Sequence, residues 1–90
     1  MNAKEIMEKA IAIVDGHAAD RDIGKERSMK KIVEVFNKLT GHELTEREGD
    51  IFMVCLKLVR MQVKTNDMDS YVDALGYISM ASETVEEEKW

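Results

Sequence analysis

Ninety residues leave room for one domain and no more. A chain that is 44% hydrophobic and 34% charged argues against wholesale disorder, and the absence of proline favours uninterrupted helices over a sandwich or a loop-rich fold. The net charge of −5 comes wholly from residues 46–90, which hold five basic and ten acidic side chains, and this balance disfavours binding to a nucleic-acid backbone.

The first helix is predicted to open at Asn2-Ala3-Lys4-Glu5, a capping box with an N-cap amide and a glutamate three residues on. Ile6, Met7, Ala10, Ile11 and Val14 then recur on one face, and Asp15-Gly16 is expected to end the helix by turn chemistry. His17 to Lys25 is polar and reads as a loop. The second helix is predicted from about Lys25 to Leu39. Met29, Ile32, Val33, Phe36 and Leu39 form its buried stripe, and Gly41 its C-cap.

A second capping box, Thr45-Glu46-Arg47-Glu48, opens the third helix. Residues 51–63 are apolar at ten of thirteen positions, so this helix must be covered on nearly all sides. Three other short helices are hard pressed to cover it, which predicts a homo-oligomer, a dimer first, with the third or fourth helix at the interface. Cys55, the lone cysteine, is expected to be a small buried hydrophobe. Asn66-Asp67-Met68-Asp69 is a turn and N-cap cluster. The fourth helix carries Tyr71, Val72, Leu75 and Ile78, and Gly76 within it suggests a close helix crossing. Together these elements predict an all-α, small four-helix bundle over residues 1–82, with an acidic tail over 83–90 that frays. The N-terminus has no signal pattern, and no apolar run approaches the roughly 20 residues of a membrane span. A cytoplasmic protein with no membrane partner is expected.

The candidate site lies where the third and fourth helices meet. Lys57, Arg60 and Lys64 share one helix face, and Asp69 and Asp73 share another at i, i+4. A short connection makes the two helices antiparallel neighbours, so the cations can meet the aspartates. One outcome is a structural ion-pair seam in which Arg60 clamps Asp73. The other is a polar pocket where Lys57 and Arg60 hold a phosphorylated ligand, while Asp69 and Asp73 orient them or hold magnesium. Arg21 and Lys25 sit in a charged, glycine-containing segment before a helix, a weaker candidate anion site. His17 and His42 have no partner at metal-ligand spacing, and the catalytic patterns of hydrolases, zinc proteases and dinucleotide folds are absent.

The ordered series Thr40-Gly41, Leu44-Thr45, Lys57-Leu58-Val59-Arg60 and Asp69-Ser70-Tyr71-Val72-Asp73-Ala74-Leu75-Gly76-Tyr77 resembles a family of short, all-helical, uncharacterised proteins common in phage and prophage genomes. Lys57 and Arg60 match its K-x-x-R helix, and Asp69, Asp73, Gly76 and Tyr77 match its D-x-x-x-D-x-x-G-Y helix. Ile23-Gly24 stands where that family has Tyr-Gly. The resemblance implies a phage accessory protein in a bacterial host cell, with Tyr77 joining the candidate ligand set. A looser likeness is to MazG-like all-α nucleotide pyrophosphohydrolases, which hold magnesium with E-x-x-E and E-x-x-D pairs. Here the acidic pairs stand at i, i+4 and the E-x-x-E is missing.

Three functions follow. The leading one is non-catalytic binding of a host or defence protein or of a phosphorylated nucleotide, with no cofactor. The second is a magnesium-dependent nucleotide pyrophosphohydrolase, and the third is a purely structural helical oligomer. No residue constellation specifies a reaction, and the sequence leans away from an enzyme.

Overall fold

The structure, a computed structural model, describes residues 1–20 and 28–85. It is all-α, a small bundle of four helices: α1 (Ala3–Asp20), α2 (Met29–Thr40), α3 (Glu46–Val63) and α4 (Met68–Ser82).

Both capping boxes form. The Asn2 N–H donates to Glu5 Oε1 at 3.1 Å and the Glu5 N–H to Asn2 Oδ1 at 2.9 Å. At α3 the Thr45 N–H donates to Glu48 Oε1 at 2.9 Å and the Glu48 N–H to Thr45 Oγ1 at 3.1 Å. Each pair satisfies two amides that a helix start otherwise leaves without an intrahelical acceptor. Gly41 closes α2 at φ 77°, a left-handed conformation that costs glycine nothing, and its N–H donates to Asn37 O. The Asn37 side chain then clamps the α2–α3 connection, donating to Leu44 O and accepting from the Leu44 N–H, both at 3.0 Å.

The first helix departs from the sequence expectation. It runs through Gly16 to Asp20 instead of stopping at Asp15-Gly16. An interior glycine costs a helix about 1 kcal/mol relative to alanine, which its flanking turns outweigh. The expected start of the second helix at Lys25 falls outside the described residues, and α2 is seen from Met29.

The main packing follows the order α2, α3, α4, α1, with α3 on α4 the most extensive layer. Its core is assembled from alanine, valine and methionine. Ala10, Met29, Val33, Val54, Val72, Ala74, Met80 and Ala81 are buried, and among the described residues no large side chain is fully buried. At the α2–α3 crossing the spacer is Gly49. A Cβ there would meet the Met29 thioether and stand 2.8 Å from Val33 Cγ1. Gly76 of α4 is looser than expected, since its Cβ would lie 3.4 Å from Val14 Cγ2 of α1, an ordinary contact.

Several residues expected inside are outside. Of the α2 stripe, Met29 and Val33 are buried while Ile32, Phe36 and Leu39 are exposed, because α2 meets only the N-terminal part of α3. Cys55 is exposed, not buried, because it lies on the side of α3 turned away from α4. Thr84, placed by the sequence in a frayed tail, is buried, and its hydroxyl donates to Ala81 O at 3.0 Å. Residues 86–90 lie outside the described residues.

Candidate functional site

Helix α4 begins at an N-cap aspartate, Asp67, whose carboxylate accepts from the Ser70 hydroxyl at 2.8 Å and from the Ser70 N–H at 3.4 Å. Tyr71 reaches back over the turn and donates its hydroxyl to Thr65 O at 3.0 Å. These bonds set α4 antiparallel against α3 and bring the candidate residues to one seam.

Across that seam Lys57 Nζ stands 3.1 Å from Asp73 Oδ2. The lysine side chain is 15% exposed and the aspartate 34%, so the pair is sheltered but wetted from the aspartate side. Lys57, not Arg60, takes Asp73. Arg60 is exposed and, among the described residues, makes no ion pair with either Asp69 or Asp73. The register explains the exchange: in the antiparallel pair Arg60 lies one turn nearer the α3–α4 connection than Lys57, where its charge acts on Asp67 rather than on Asp73.

The positive charges of Arg60 and Lys64 act instead on Asp67. The Ser70 hydroxyl holds the Asp67 carboxyl below the usual carboxylate range. Desolvation opposes this, while the Ser70 N–H and, less strongly, Arg60 and Lys64 add to it. Asp67 was read from sequence only as part of a cap cluster. The signal that marks it is its N-cap position one turn beyond the end of a helix rich in late cations. Asp69 is exposed in the first turn of α4, where a carboxylate suits the helix dipole. Asp50, seven residues before Lys57 on the same face, is 2% exposed.

Tyr77 is half-buried and, with Asp73, lines a cavity of about 120 Å³ between α4 and Ala10, Ile13 and Val14 of α1. That is well under the roughly 300–1,000 Å³ of a small-molecule pocket. The larger α1–α4 cleft, about 400 Å³, is lined by Met7, Ala10, Ile11, Val14, Leu75, Ser79 and one carboxylate, Asp15, with no cation. Among the described residues, these two clefts are not lined by a cation. Arg21 and Lys25, the other candidate anion ligands, lie outside the described residues. No three histidine, cysteine, aspartate or glutamate side chains gather to hold a metal among the described residues.

An apolar stripe lies elsewhere on the surface. Phe52, Leu56, Val59 and Val63 recur at i, i+4, i+7 and i+11 on the face of α3 opposite α4, and all four are exposed. Phe52 also lines, with Ile32 and Phe36, a cleft of about 200 Å³ between α2 and α3. Through it the α3 stripe meets Ile32 and Phe36 of α2, and Val35 and Leu39 of the same helix are exposed as well. Beside it His42 stacks on Phe36, ring centres 5.8 Å apart.

Fold and seam together define a small all-helical domain with an ion-paired α3–α4 layer and an open apolar side. Residues 5–85 match the model of the family described as Domain of unknown function (DUF6378), and the chain belongs to that family. No curated protein and no solved structure matches it. Among the described residues, no helix is long and apolar enough to cross a membrane.

Proposed function

We propose that this chain is a non-catalytic binding protein, of the accessory kind found in phage and prophage genomes and acting in the host cytoplasm, and that its working surface is the apolar face of α2 and α3. The observation that carries this reading is the exposure of that face: eight large apolar side chains of α2 and α3 are each about two-fifths exposed or more, and Ile32, Phe36 and Phe52 meet in one cleft between the two helices. Contiguous apolar surface of several hundred Å² is rare on a solitary soluble domain and marks an interface.

The polar seam supports the same view. Lys57 is engaged by Asp73, so a phosphate would have to displace the carboxylate from the lysine, and a magnesium ion would have to displace the ammonium from the aspartate. The clefts beside the seam are too small or lack a cation for a nucleotide. The seam is read as the pairing that holds α3 on α4 and thereby turns the stripe of α3 outward.

Two measurements on one sample test the proposal. Melting temperature is followed against protein concentration, and binding of a hydrophobic dye is followed at the lowest concentration. A face covered by association gives a melting temperature that rises with concentration, and a face left open binds dye. Val59→Glu should remove whichever response is seen. A parent chain that shows neither response overturns the proposal.

A further inference from the structure

We infer that the occupant of this face is a second copy of the same chain, its α3 lying antiparallel to the first about a twofold axis near Leu56 and Val59. The inference rests on the binding reading above and goes on to name the partner and its geometry. Three observations carry it.

The first is area. Taking about 150–200 Å² for a fully exposed large apolar residue, the eight side chains of the α2–α3 face offer roughly 700–950 Å², about half of it from the α3 stripe alone. A standard interface takes about 800 Å² from each partner. Phe52 and Val63, 68% and 84% exposed, sit at the two ends of the stripe, so α3 is available from Phe52 to its C-terminal end.

The second is periodicity. Phe52 and Val59 are seven residues apart, and so are Leu56 and Val63, which is the spacing of a helix–helix seam. A twofold axis makes the patch its own complement. With the axis at the middle of the stripe, Phe52 meets Val63 of the second copy and Leu56 meets Val59.

The third is charge. Helix α3 is acidic in its first turns, at Glu46 and Glu48, and basic toward its end, at Arg60 and Lys64. An antiparallel pair sets the acidic end of one helix beside the basic end of the other and opposes the two helix dipoles. A parallel pair would set like ends together.

Engineered cysteines test this in a Cys55→Ser background. The double variant Phe52→Cys/Val63→Cys should oxidise to a covalent dimer, because each cysteine faces the other kind across the axis. Neither single variant should cross-link, because in the antiparallel pair identical positions at the stripe ends stand about 16 Å apart along the axis, 11 residues at 1.5 Å. Cross-linking of both single variants would show a parallel pair and overturn the inference. A parent chain that stays at the mass of one protomer overturns it as well. If that monomer still binds hydrophobic dye and Val59→Glu stops it, the face serves a different protein and the broader reading stands; if it binds no dye, both fall.

Discussion

Breaking the Lys57–Asp73 pair separates a structural seam from a ligand site. An exposed ion pair contributes about 0.2–1 kcal/mol, whereas removing one partner of a fully buried pair costs about 3–5 kcal/mol. This pair lies between, with its lysine 15% exposed and its aspartate 34%. Water reaches Asp73 once the lysine is gone, so Lys57→Met should cost only about 1–2 kcal/mol, the methionine retaining much of the packing of the lysine stem. Asp73→Asn should cost a similar amount, because the more sheltered ammonium keeps a polar but uncharged neighbour. The double variant should recover part of the loss, with a coupling of about 1 kcal/mol. In a domain of this size 1 kcal/mol moves the melting temperature by about 4–8 °C. Urea titrations of the four proteins, followed by circular dichroism at one fixed protein concentration, give the cycle directly. A coupling near zero would refute a seam. So would Lys57→Met melting above the parent, which is the pattern of a charge held against stability for the sake of a ligand.

The two buried glycines should respond to alanine with opposite signs. Gly49→Ala should destabilise by about 1–2 kcal/mol, since the new methyl meets the stiff Val33 and overpacking outweighs the gain in helix propensity. Gly76→Ala should stabilise by up to about 1 kcal/mol, because the methyl makes only ordinary contact with Val14; thermal melts of both variants check the pair. The depressed Asp67 carboxyl gives stability that is present above its unfolded value near 3.8 and is lost as pH falls through its folded value. Asp67→Asn keeps a good cap that cannot titrate there, so its melting temperature should fall less steeply than that of the parent below about pH 4. An acid limb of unchanged slope would remove Asp67 as its cause.

The sequence carried the helices through local signals: two reciprocal capping boxes, a left-handed glycine after α2, an aspartate cap before α4. Those depend on residues within one turn of each other, and they formed as expected. What failed was tertiary. Ile32, Phe36 and Leu39 have the periodicity of a buried stripe, yet periodicity reports that a face is apolar and not that something within the same chain covers it. The same gap put Cys55 inside. At the candidate site the shared faces of Lys57 and Asp73 were legible from spacing, but the choice of Lys57 over Arg60 depends on how α3 is rotated against α4. Gly49 carries no local signature, because a glycine early in a helix announces no packing role by itself. Its role appears only when Met29 and Val33 arrive from another helix.

Mass in solution tests the central claim most directly. Size exclusion with light scattering at micromolar concentration should give twice the 10.3 kDa of one chain, and Val59→Glu should bring it down to a single chain or drive aggregation, because that side chain is 60% exposed in one copy and buried without a partner charge in two. A parent mass of 10.3 kDa, unchanged by raising the concentration, would contradict it.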